Sequence, residues 1–104
     1  MTRDLTLDCE VHGATAELVL DGDLDMAAAF KLEPAIERVV SENAVDELVL
    51  DLAAVDFMDS AGLGSLLSTH ERLHDLGIDA KVTRPSAAVQ RVLDATGTRA
   101  VLLG

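Results

Sequence analysis

Strict alternation of apolar and polar residues is what most narrows the fold of this chain. Leu5-Thr6-Leu7-Asp8-Cys9-Glu10-Val11 and Ile78-Asp79-Ala80-Lys81-Val82-Thr83 both follow it, the pattern of strands buried on one face only. Helices therefore cannot sandwich the whole sheet. Leu48-Val49-Leu50-Asp51-Leu52 is more continuously apolar and predicts a central strand. Thr15-Ala16-Glu17-Leu18-Val19-Leu20 predicts another, joined to the first by a His12-Gly13 hairpin.

Helical patterns run from about Met26 to Glu42, Ala61 to Leu76 and Ser86 to Thr96. Pro34 lies inside the first, where it removes a backbone donor and should kink or delay the helix. Gly77 should end the second helix; Ser86 is a cap and Gly97 a stop for the third. The expected order is β-β-α-β-α-β-α-β: an α/β fold with one mixed sheet and helices mainly on one face, parallel after the initial hairpin because the crossovers are helical. At 104 residues the whole chain, 1-104, is expected to be one domain. Phe30 and Phe57 are its only aromatics, so the core must be aliphatic.

The formal net charge is -11, with 19 acidic residues against 8 basic. Phosphate backbones would repel such a chain, so direct nucleic-acid binding is not expected, and a partner with a basic surface is. No run approaches the roughly 18 apolar residues of a membrane span, and no signal-peptide core follows the start. A cytoplasmic protein with no membrane insertion is expected. Cys9 is the only cysteine; it shares a strand face with Leu5, Leu7 and Val11 and is read as a small buried hydrophobe.

The segment Val55-Asp56-Phe57-Met58-Asp59-Ser60-Ala61-Gly62-Leu63-Gly64 places one serine, behind a carboxylate, where a loop is expected to become a helix. A side chain there would lie near the unpaired amides of Ala61, Gly62 and Leu63 at the positive end of the helix dipole. Two roles stay open on position alone: a helix cap, or an anion site. Asp25 likewise precedes helix formers and is expected to cap the first helix. Crossovers of one hand should bring Asp25 to the same edge as Asp59 and Ser60.

Three enzyme patterns fail. The nucleophile elbow needs glycines two residues either side of the serine, and Met58 occupies the first place. There is no Gly-x-x-x-x-Gly-Lys loop, so ATP binding is not expected. His70-Glu71-Arg72-Leu73-His74 matches the zinc-protease pattern His-Glu-x-x-His. Helical periodicity, however, puts both histidines on the side of Leu63, Leu66, Leu67 and Leu73, facing an apolar sheet with no third ligand. No enzyme, no metal and no cofactor is expected.

Three segments together resemble the STAS-domain anti-sigma factor antagonists of bacteria. Asp59-Ser60-Ala61-Gly62-Leu63-Gly64 is similar to that family's Asp-Ser-(Ser/Ala/Thr)-Gly-Leu-Gly signature. Asp21-Gly22-Asp23-Leu24-Asp25 is similar to its Gly-Glu-Leu-Asp turn, with Asp23 departing from Glu. Pro85-Ser86-Ala87-Ala88-Val89-Gln90-Arg91-Val92-Leu93-Asp94-Ala95-Thr96-Gly97 is similar to its Pro-Ser-x-x-Val-x-Arg-x-Leu-x-x-x-Gly helix. Order and spacing agree over nearly the whole chain. A second departure is the lack of the family's usual C-terminal helix, since the last strand is expected to reach Leu103.

The resemblance implies phosphorylation at Ser60 and partner binding through Asp23, Asp25, Asp59, Ser60, Ala61 and Gly62. The implied partners are an anti-sigma factor with a serine-kinase ATPase domain, bound while Ser60 is unphosphorylated so that a sigma factor is released, and a serine phosphatase that restores binding. An alternative implied by shorter STAS proteins is a scaffold subunit of an ABC-type lipid transporter that needs no phosphorylation.

Overall fold

A computed structural model describes residues 3–103. The elements are β1 (Thr6–His12), β2 (Thr15–Leu24), α1 (Met26–Glu42), β3 (Glu47–Met58), α2 (Ser60–Asp75), β4 (Asp79–Thr83), α3 (Ala87–Thr96) and α4 (Arg99–Leu103). The four strands form one mixed sheet in the order β1-β2-β3-β4. β1 pairs antiparallel with β2 through a tight turn in which Gly13 takes φ 61. β2–β3 and β3–β4 are parallel, as the helical crossovers require.

Ala16, Leu18 and Leu20 of β2, Leu48, Leu50 and Leu52 of β3, and Ala80 and Val82 of β4 are all buried, and their alternating neighbours are not buried to the same degree. They meet Ala28, Leu32 and Ile36 of α1, Leu63, Leu66 and Leu73 of α2, and Leu102 of α4 in one aliphatic core. The other face of the sheet carries Glu17, Glu47, Asp79 and Lys81, with Lys81 paired to Glu47. Both aromatics lie outside the core: Phe30 is 76 % exposed and Phe57 49 %.

Four expectations are corrected. The last segment is the helix α4 and not a strand, so the described chain does end on a helix. A short apolar run fits either structure by pattern. Here Gly97, at φ 71, turns the chain back, Arg99 pairs with Asp94, and one turn suffices to bury Leu102. Cys9 is exposed. β1 is an edge strand, and the helices pack on β2, β3 and β4, so beyond Leu7 the helix side of β1 is bare. Its thiol pKa is nonetheless raised, by desolvation and then by the Glu10 carboxylate.

Third, β2 does not end at Leu20 and β3 does not end at Leu52. Both run to the helices that follow them. β3 carries two extra residues relative to β2, between Asp51 and Ala54 and between Val55 and Phe57. These bulges shift the pleat, so its buried apolar residues run Leu48, Leu50, Leu52, Val55, Met58. Past the end of β4, α3 covers the open edge of β3: Ser86 N donates to Leu52 O at 3.2 Å and Ser86 Oγ to Val55 O at 2.6 Å. Fourth, Pro34 does not delay α1, which begins at Met26 and is helical throughout to Glu42.

Candidate functional site

The site edge is set by parallel pairing of the last residues of β2 and β3. Leu24 lies opposite Met58, and Asp59 N donates to Leu24 O at 3.4 Å. The residue after each strand is an aspartate, and each caps the helix that follows. Asp25 Oδ1 accepts from Ala28 N at 3.0 Å, and Asp59 Oδ1 accepts from Gly62 N at 2.8 Å. The structure thus brings Asp25 and Asp59 side by side, with the N-termini of α1 and α2 rising from one edge.

Asp59, not Ser60, is the cap of α2. Ser60 is the first helical residue and is exposed. Among the described residues its hydroxyl has no hydrogen-bond partner. The amides expected to be open around it are mostly occupied: Gly62 N bonds the Asp59 side chain, and Leu63 N bonds Asp59 O at 3.0 Å. Of the first turn, the Ser60 and Ala61 amides are left over. An anion on Ser60 Oγ would meet few donors and two neighbouring carboxylates.

The remaining expected contact residues divide by exposure. Ala61 is half-buried, whereas Gly62 and Asp23 are buried. A Cβ on Gly62 would lie 1.9 Å from the Leu24 carbonyl oxygen, so only glycine lets α2 start this close to β2. Gly64 has nothing within 4 Å of its Cβ position and is exposed. Open approach to the serine is therefore a property of Gly64, one turn further along. Asp23 turns inward: its Oδ2 accepts from Arg3 N at 2.9 Å while Asp23 N donates to Arg3 O at 3.0 Å.

Sequence reasoning missed this N-terminal strap. Arg3 also pairs through its guanidinium with Asp21 and Asp56, which closes the segment across β2 and β3. Gly22, at φ 121, makes room for it, because a Cβ there would meet Asp4 O at 2.5 Å. The glycine between two aspartates was the available signal, and it marks a close backbone approach.

The structure separates the two histidines by exposure. His70 is half-buried beside Leu50, Leu66 and Leu102, but His74 is exposed, contrary to expectation, because the chain from His74 to Gly77 has left the sheet. Among the described residues no group of three His, Cys, Asp or Glu side chains could hold a metal ion. No described helix is long and apolar enough to cross a membrane.

This sheet, with an exposed serine directly behind the cap of α2, defines the class: residues 6–102 match the STAS domain family model, and the chain belongs to that family. It is 39% identical over 69 residues to the anti-sigma-F factor antagonist RsfB of Mycobacterium tuberculosis; the match takes in 66% of this chain and 56% of that protein, little more than half its length. An anti-sigma factor antagonist from Mycobacterium paratuberculosis superposes with a TM-score of 0.81 at 32% identity, over 95% of this chain and 83% of that one. SpoIIAA, an anti-sigma factor antagonist in its unphosphorylated form, shares the fold with a TM-score of 0.78 at 24% identity, over 96% of this chain and 86% of that one.

Proposed function

We propose that this chain is a non-catalytic phosphoswitch, an anti-sigma factor antagonist acting in the cytoplasm. With Ser60 unphosphorylated it binds a kinase-type anti-sigma factor and so releases a sigma factor for transcription. Phosphorylation of Ser60 by that partner breaks the complex, and a serine phosphatase restores it. Asp25, Asp59, Ser60 and Ala61 form the contact edge, while Asp23 and Gly62 hold its shape.

The observation that carries the reading is the placement of Ser60: exposed, unbonded, first in its helix, and directly behind a carboxylate that has already taken the capping role. A phosphate adds about 1.5 to 2 negative charges near pH 7. Here it would face Asp59 and Asp25 with two backbone amides to offset it. Covering those charges with a partner surface would cost several kcal/mol, since buried unpaired charge is expensive. The free chain is not strained by the change, because the hydroxyl supports no fold contact. The names of the relatives support the same reading.

The test is phosphate transfer. The chain is incubated with ATP and each kinase-type anti-sigma factor of its source organism, and the product is mapped by mass spectrometry. One phosphate at Ser60, absent from Ser60→Ala, is expected. An unmodified chain with every such partner would contradict the reading and favour the transporter scaffold.

A further inference from the structure

We propose that the groove between α1 and α2 seats a basic amphipathic helix of the anti-sigma partner, so that docking reaches along the helices and not only across the Ser60 edge. This inference rests on the function proposed above and names the surface and chemistry that function would use.

The groove has a volume of about 510 Å³ and is lined by Phe30, Glu33 and Glu37 of α1 and Ser68, Thr69 and Arg72 of α2, among others. One ridge of its α2 wall leads back to the site edge. Ser60, Gly64, Ser68 and Arg72 follow one another at four-residue spacing, so they form one ridge of α2, and all four are exposed. Three of them are small and would let a guest backbone come close. On the facing helix Met26 and Phe30, again four apart, are 62 % and 76 % exposed. An aromatic that stands this far out of the surface adds nothing to the core, and aromatic anchors of this kind dominate binding energy at protein interfaces. A small ligand inside the groove would leave Phe30 in water, whereas a helix laid along it would cover both anchors.

One backbone feature points to a guest. Pro34, in the lining, has no amide to give the Phe30 carbonyl one turn back, so that acceptor lacks its helical donor.

Charge selects the occupant. The groove's one cation, Arg72, is already paired with Glu37, leaving Glu33 as the lining's excess charge. Lys31, Arg38 and Arg91 are the basic residues without an ion pair among the described residues, and none of them lines the groove. A second copy of a chain of net charge -11 would bring acid to acid. A helix with Lys or Arg beside an apolar stripe complements both the anchors and the rim.

The experiment is isothermal titration of the purified kinase-type anti-sigma factors of the source organism with wild type, Phe30→Ala, Glu33→Lys, Lys31→Glu and Ser60→Glu, with hydrogen exchange on the complex. Phe30→Ala is expected to weaken binding about tenfold or more, Glu33→Lys to weaken it with a shallower salt dependence, and Lys31→Glu to stay within about twofold. The newly protected partner segment should be a basic, apolar-striped helix. Phe30→Ala and Glu33→Lys binding like wild type while Ser60→Glu fails to bind would overturn the groove and leave the switch standing. No binding by wild type to any such partner would remove both. Sedimentation showing a wild-type dimer that Phe30→Ala dissolves would make the occupant a second copy and overturn the proposal.

Discussion

The starts of α1 and α2 are near copies in backbone and differ in what they present. Each follows a parallel strand, and each N-cap aspartate has almost the same geometry, φ -103 and ψ -170 at Asp25 against φ -104 and ψ -176 at Asp59. Each carboxylate accepts from the amide three residues on. At the first helical position one helix exposes Met26 and the other Ser60; three residues past the cap, one has Ala28 and the other Gly62. The same local solution thus exposes an apolar side chain at one place and a hydroxyl at its neighbour, the groups to which docking and phosphorylation are assigned in the proposals above. Having Asp59 perform the capping is what leaves Ser60 free to change without loss of the fold.

The difference at the third position yields the largest expected effect. Ala28 accommodates its methyl in the core, but a methyl at Gly62 would lie 1.9 Å from Leu24 O. Something must shift, and overpacking of this kind costs about 1–3 kcal/mol or more. Gly62→Ala should lower the thermal midpoint by many degrees, whereas Gly64→Ala, with open space around it, should leave it unchanged or raise it slightly. Equal midpoints for the two variants would mean that α2 can retreat from β2 freely.

The caps come next. Asp25→Ala and Asp59→Ala should each cost about 1 kcal/mol in urea unfolding, and by similar amounts, since the two caps are geometrically alike. Ser60→Ala should cost well under that. A Ser60→Ala variant as destabilised as Asp59→Ala would show that the hydroxyl shares the capping role.

The smallest effect lies far from this edge. A hydrogen bond from Arg99, Nε to Oδ1 at 2.8 Å, holds the Asp94 carboxyl below its usual range and ties α4 to α3. A carboxylate with a depressed folded pKa stabilises above its unfolded value, and that stability is lost as pH falls through the lowered folded value. Both groups are exposed, so solvent screening keeps the effect slight. Wild type should lose a small increment of stability below about pH 4 that Asp94→Asn lacks; identical acid limbs for the two would remove the staple.

Much of this was legible in the chain. Alternation at Leu5 to Val11 and Ile78 to Thr83 announced a sheet with one bare face, and periodicity found α1, α2 and α3 nearly to the residue. Three kinds of information were not local. The bulges of β3 depend on its partner strand, so its continuation to Met58 looked like a loop. The burial of Cys9 depends on which strand is the edge, which alternation does not reveal. At the site, Ser60 read as the cap, and Asp59 takes that role instead. The choice between them is made by Gly62, whose packing on Leu24 fixes where the helix begins. His74 failed for a simpler reason: helical periodicity gives a face but not where the sheet beneath it stops.

The most direct measurement is the affinity of the proposed anti-sigma partner, purified, for the chain carrying phosphoserine at position 60, set against the unmodified chain, with circular dichroism on both. The switch predicts unchanged spectra and binding weakened by about thirtyfold or more, the equivalent of roughly 2 kcal/mol. Equal affinities for the two forms would contradict it.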